Sequence, residues 1–207
     1  MAEKILLSST YFPPINYLSI VSRADKIFIE KEENYLKQTY RNRCLILTAN
    51  GPSSLSVPVL SGSSIKSPVR DIKIDYSKRW QQVHIRALIS SYKSSAFFEY
   101  YFEDFEKIIK RKPAFLIDLN SNTLETTMRI IGISKAIEYT NIFEQYSESA
   151  NDFRKSISPK KNIPGNPSQK EYYQVFSYRF GFVSGLSILD LIFNVGPDSL
   201  SYLSENY

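Results

Sequence analysis

One cysteine and one histidine are all that the 207 residues contain. A lone thiol forms no internal disulfide, which fits a reducing compartment. Structural zinc is held by several thiolates or imidazoles, so a chain with one of each implies no such site and no metal. No apolar run approaches the roughly 20 residues that span a bilayer. The segment Met1-Ala2-Glu3-Lys4-Ile5 leads into Pro13-Pro14 without the apolar stretch of a signal peptide. The expectation is a cytoplasmic protein with no membrane span. There is also no Gly-rich loop between the first predicted strands, hence no dinucleotide fingerprint and no recognisable cofactor motif.

Other features are present in ordinary or raised amounts. Hydrophobic residues make up 43% and charged residues 23%, values typical of a globular protein. The length suits one domain over residues 1–207. Aromatic residues are abundant, with 15 Tyr and 13 Phe. Tyrosines can line a polar pocket, because the ring packs while the hydroxyl stays hydrogen-bonded, or they can simply fill a core. The net charge of +5 leans toward an anionic small molecule. Lys107 to Lys112 reads as the polar end of a helix and Arg154 to Lys161 as a basic loop. Neither carries the pattern of a nucleic-acid module, which argues against nucleic acid as partner. Nothing in the residues sets an oligomeric state.

Periodicity predicts a single compact α/β domain of mixed α+β character with a mixed sheet. Lys4 to Ser9 reads as a buried strand, Ile15 to Ala24 as a helix entered through Pro14, and Lys26 to Glu30 as a second strand. A strand, helix and strand in succession favour parallel pairing. Cys44 to Thr48 and Leu55 to Val59 flank Asn50-Gly51-Pro52 and predict a hairpin, and Val69 to Asp75 alternates like a further strand. The second half is predicted to be mostly helical: Ser77 to Tyr92, Phe97 to Ile109, Asn122 to Ile131 ended by Gly132, and Val183 to Asn194 ended by Gly196-Pro197. Ala136 to Thr140 is expected to return to the sheet. Asn151 to Gln169 is rich in Pro, Ser and Lys and carries no regular pattern. Its Ser156 to Gln169 part, with Lys160 and Lys161 after Lys155, is either a basic lid over an anionic substrate or a solvated loop.

Several segments in order resemble the WbqC-like protein family. They are Tyr11-Phe12-Pro13-Pro14-Ile15-Asn16-Tyr17 with Ala24-Asp25; Tyr40-Arg41-Asn42-Arg43 with Asn50-Gly51-Pro52 and Val57-Pro58-Val59; and Trp80, His84 and Tyr92. Tyr173 to Phe176, Gly181-Phe182, Leu186 to Leu191 and Asn194 to Pro197 complete the set. The resemblance implies a role among bacterial surface-polysaccharide genes, where O-antigen and capsule sugars are made and modified. It supplies no catalytic residue, so the site is nominated from residue chemistry.

His84 lies four residues after Trp80 on the inward helix stripe, where an imidazole is either a general base or a core residue bonded to a backbone carbonyl. Arg41 and Arg43, read as sharing one strand face with Asn42 on the other, suit a diphosphate or carboxylate, or else form a solvated edge. Asp190 falls on an apolar stripe and needs a partner, either His84, a basic residue such as Arg41, or a structural ion pair. Tyr11 and Asn16 bracket a loop that runs from a strand into a helix amino terminus, a common place for anions. The resulting expectation has His84 and Asp190 as catalytic groups and Tyr11, Asn16, Arg41, Asn42 and Arg43 as substrate-binding ones. The activity expected is transferase-like, on an activated or lipid-carried sugar. The alternative is a non-catalytic sugar-nucleotide-binding or assembly protein of the same pathway.

Overall fold

The first strand, β1 (Lys4–Ser8), is buried from Ile5 onward, as an inner strand of apolar residues requires. A computed structural model describes residues 4–60, 67–143, 145, 151–159 and 169–205. After β1 the chain turns at Phe12, whose φ is +41°, and enters α1 (Ile15–Arg23) with Pro14 at its cap. Pro14 fits there because its missing N–H has no intrahelical role. Then β2 (Lys26–Glu30) lies parallel to β1, in register from Lys4 beside Lys26 to Ser8 beside Glu30. This is the βαβ unit that the sequence predicts.

Two further segments widen that sheet. Residues Ile137–Tyr139 pair in parallel with the far edge of β2. On the outer edge of β1, the Leu6 amide donates to the Asn151 carbonyl at 2.9 Å, and the Phe153 amide donates to Leu6 at 2.9 Å. The carboxyl ends of these strands gather Glu30 and Thr140 near Arg154.

The hairpin is a second, separate sheet of β3 (Arg43–Thr48) and β4 (Gly51–Ser56). Parallel and antiparallel pairs therefore occupy two sheets rather than one mixed sheet. The strand after the turn starts at Gly51, earlier than the expected Leu55. Thr48 pairs with Gly51 and leaves only Ala49 and Asn50 in the loop. Gly51 has φ +99°, a conformation that side chains resist, and Pro52 is tolerated because β4 has a free edge.

Val69 to Asp75 is not a strand. Val69–Asp71 forms a 3₁₀ turn, and only Lys73 and Ile74 make single bridges, to Phe115 and Val59. Val69 and Ile72 are fully buried three residues apart, which is the spacing of a turn rather than of a strand.

The helices differ from expectation mainly at their starts. They are α2 (Trp80–Tyr92), α3 (Phe98–Lys110), α4 (Leu116–Ile131), β5 (Ile137–Tyr139) as the strand that follows, α5 (Ser177–Phe180), α6 (Ile188–Val195) and α7 (Ser199–Glu205). On α2 the buried stripe is Trp80, His84, Leu88, Ser91 and Tyr92, while Val83 is 58% exposed. Ser77 instead closes a turn, its amide donating to Asp75 Oδ1 at 2.8 Å. The last predicted helix shortens to α6 because Ser187 caps it, accepting from the Leu189 amide. The residues before Ser187 are extended: the Ile15 amide donates to Leu186, and Ser187 donates to Leu45. Gly196 ends α6 with φ +64°, and an added Cβ there would lie 2.5 Å from the Phe97 ring. One hydrophobic cluster runs from Ile5 through Phe105 and Phe193 to Leu203, joining β1, α3, α6 and α7. The described residues thus mix α and β structure, with parallel and antiparallel sheets and no barrel among them.

Candidate functional site

Two elements set the geometry around His84. On α2, Trp80 and His84 are one helical turn apart on the inward face, with ring centroids at 5.0 Å. The turn after β1 carries Tyr11, held by its amide donating to the Tyr40 carbonyl at 2.8 Å. The Tyr11 hydroxyl lies 2.9 Å from His84 Nδ1. Burial pushes the Tyr11 hydroxyl well above its ordinary value, so it keeps its proton.

His84 is 2% exposed, and burial lowers its imidazole to about 4, while a hydrogen bond to the Ser56 backbone pulls the other way. A backbone contact that favours the charged ring is one to a carbonyl, which accepts from a ring N–H. The ring proton therefore faces Ser56, and Nδ1 accepts from Tyr11. At neutral pH His84 is an uncharged ring with both nitrogens engaged.

His84 forms part of the wall of a cavity of about 410 Å³ between β4 and the start of α2. Asn42, Pro58 and Trp80 line it, with Lys78 and Arg79 supplying its cations. The Asn42 amide group donates to the Val57 carbonyl at 3.0 Å, but its Oδ1 is buried with no partner. Trp80 Nε1 is likewise buried without a partner. One unmatched acceptor and one unmatched donor therefore belong to two side chains of the same cavity wall. Leaving such groups unpaired costs about 1–3 kcal/mol each.

Arg41 and Arg43 do not share a face. Arg41 precedes β3 and is buried in a bidentate pair with Glu33, Nε to Oε1 at 2.9 Å and Nη2 to Oε2 at 2.5 Å. Its Nη2 also donates to Ser8 Oγ at 2.8 Å. Those bonds occupy the fork that a phosphate needs. Arg43 opens onto a different cavity, and Asn42 is the member of the trio that lines the His84 pocket. Asn16 is half-buried on α1 and outside that lining. The amino end of α1 is covered, since Leu186 takes the Ile15 amide and Ser187 bridges Pro14.

Asp190 is fully buried on α6. The Tyr172 hydroxyl donates to its Oδ2 at 2.5 Å and Gln174 Nε2 donates to the same oxygen at 2.9 Å. Tyr92 faces the same carboxyl. Burial lifts this carboxyl to about 6 against those hydrogen bonds. Its partners are neither His84 nor Arg41. Tyr11, Asn42 and His84 thus come together, while Asn16, Arg41, Arg43 and Asp190 stand elsewhere.

A second polar cluster fills the carboxyl ends of the parallel strands. Arg154 Nη1 pairs with Glu30 Oε2 at 3.1 Å and Nη2 with Asp152 Oδ2 at 2.6 Å. The Thr140 hydroxyl donates to Glu30 Oε1 at 2.6 Å. Asn120 Nδ2 donates to Ser9 Oγ and to the Arg41 carbonyl, both at 2.8 Å. Sequence reading missed Glu30, Glu33, Asp152 and Arg154. The available signal was two glutamates at the end of a strand, where α/β folds collect polar groups. It also missed Lys78 and Arg79, directly before Trp80. The basic loop expected to act as a lid lies outside the described residues from Lys160 to Ser168.

No group of three or more His, Cys, Asp or Glu side chains among the described residues is arranged to hold a metal ion. No helix among them is long and apolar enough to cross a membrane. The sequence profile of the WbqC-like protein family matches residues 8–163. The chain is also 26% identical over 228 aligned positions to an uncharacterized protein of Mycobacterium tuberculosis (strain ATCC 25618 / H37Rv), Rv1507c, covering 98% of each chain. No solved structure matches.

Proposed function

The chain belongs to the WbqC-like protein family, and from that premise we propose that it takes an activated or lipid-carried sugar into the His84 pocket for a transferase-like step of bacterial surface-polysaccharide assembly. The observation that carries this reading is that Asn42 and Trp80, each holding a buried polar atom without a partner among the described residues, line one cavity with His84. A sugar hydroxyl donates and accepts at once, so a polyhydroxylated ligand satisfies both kinds of group. Lys78 and Arg79 provide the positive charge that a sugar phosphate or diphosphate needs.

In the catalytic reading His84 is the general base. It would exchange its bond from Tyr11 for one from a substrate hydroxyl, and its neutral form is fully populated at pH 7 because its value is about 4. The same low proton affinity, with both nitrogens engaged, favours a second reading: a sugar-nucleotide-binding or assembly protein in which His84 only shapes the pocket wall.

Thermal-shift titration with nucleoside-diphosphate sugars tests the pocket, since a ligand that binds the folded state raises its stability by mass action. The expected result is a rise in Tm with a sugar nucleotide, smaller with the bare nucleoside diphosphate, and lost in Trp80→Phe and in Asn42→Ala. A rise that survives both substitutions rules out this pocket. Mass-spectrometric loss of the sugar donor in the presence of protein distinguishes transfer from binding alone.

A further inference from the structure

The outer face of the β3–β4 hairpin holds a second cavity, of about 210 Å³. Strand register explains its walls. Arg43 pairs with Ser56, Leu45 with Ser54 and Leu47 with Pro52, so these side chains share one face, while Cys44, Ile46 and Leu55 turn toward the main core. At the far end of that face, Leu45 and Leu47 pack against Phe176, Phe180, Val183 and Leu186. Arg43, Leu45, Pro52 and Ser54 line the cavity on this face, and Tyr40 and Pro159 wall the rest of it.

Among the described residues, Arg43 is the only cationic side chain in that lining. Its Nε is buried without a hydrogen-bond partner, and no ion pair among the described residues includes it. A desolvated guanidinium N–H is costly unless an acceptor meets it. The planar fork of Nε and Nη matches one carboxylate in a bidentate pair. The other walls are rings and aliphatic groups from Tyr40, Leu45, Pro52 and Pro159, and burial keeps the Cys44 thiol protonated and neutral. They suit a short apolar body rather than a sugar.

We propose that this cavity is a binding site for a small carboxylate with an apolar body, its carboxyl on Arg43 and its body against Leu45, Pro52 and Pro159. It is distinct from the His84 pocket but adjoins it, because Ser54 lines both. The proposal does not rest on the sugar reading.

The test is a titration of protein carrying ¹⁵N-labelled arginine, following the Nε–Hε resonance that disappears in Arg43→Gln. The probes are butanoate, acetate and the uncharged isostere butanamide. Butanoate is expected to move the Arg43 resonance saturably at millimolar concentration, acetate more weakly, and butanamide not at all. Arg43→Gln retains the wild-type Tm, since it breaks no ion pair, and its other arginine signals stay still on adding butanoate. Equal responses to butanoate and butanamide, or equal responses to acetate and butanoate, overturn the site. So does an unmoved Arg43 signal. The butanoate response persists in Trp80→Phe, which lacks the indole of the sugar pocket. Its loss there would make the two cavities one site and overturn the proposal, whereas loss of sugar binding alone leaves it standing.

Discussion

The Tyr11 hydroxyl and His84 Nδ1 lie 2.9 Å apart although 73 residues separate them in the chain. This contact joins the turn after β1 to the second turn of α2. It also removes the imidazole from solvent, which is why the ring resists protonation. Proton-coupled ¹⁵N spectra of histidine-labelled protein are expected to show a single tautomer with hydrogen on Nε2 at pH 7 and a titration midpoint near 4, below the usual 6.5. A midpoint at the usual value would mean that the ring is solvated. Tyr11→Phe removes the donor and strands Nδ1, and should lower stability by about 1–3 kcal/mol.

His84 and Asp190 should bend the stability curve in opposite directions. His84 has a lowered value, about 4 against 6.5. Between those values the unfolded ring binds a proton that the folded ring does not, so its contribution is complete above 6.5 and is lost as pH falls toward 4. Asp190 has a raised value, about 6 against 3.8. There the folded state holds the extra proton, so its contribution is complete below 3.8 and is lost as pH rises through 6. From pH 4 to 6 the two slopes oppose each other. Urea unfolding across that window should show His84→Gln losing stability with rising pH more steeply than wild type, by at most about 1.4 kcal/mol per pH unit. Asp190→Asn should change the slope with the opposite sign. Parallel curves for all three proteins would contradict these assignments.

Arg41 and Glu33 form a pair that is nearly withdrawn from water, with side chains 5% and 0% exposed. Removing one partner strands the other, and such losses run to about 3–5 kcal/mol. Arg41→Met and Glu33→Leu are each expected to unfold at clearly lower denaturant concentration. The double variant should be less destabilised than the sum of the two, because no charge is left alone. Strict additivity in the double-mutant cycle would show that the pair carries no coupling.

Local sequence was enough for the βαβ start. Pro14 at a helix entry, an apolar period of helical spacing to Val21 and the apolar run of β2 are each readable within about ten residues. Gly132, with φ +82° after α4, is legible for the same reason, since a left-handed cap favours the residue without a side chain. His84 beside Trp80 on an inward stripe also follows from helical spacing alone. The same rules failed at Val69 to Asp75, where the Val69 amide donates to Glu33 and the Arg70 amide to Lys31. Backbone partners so far along the chain leave no trace in an alternation of side chains.

What the tertiary structure decided is which polar group meets which. Arg41 reads as a free cation until Glu33 closes on it, and Asp190 as a charge awaiting a base until Tyr172 and Gln174 supply its hydrogen bonds. Arg154 reaches Glu30 across 124 positions of chain. Sequence by itself determined the elements and the faces they bury, because hydrophobic period is a local property with the repeat of the backbone. Pairing of buried charges is set by the three-dimensional approach of distant segments and by the desolvation that makes an unmatched charge intolerable, so only the folded chain assigns those partners.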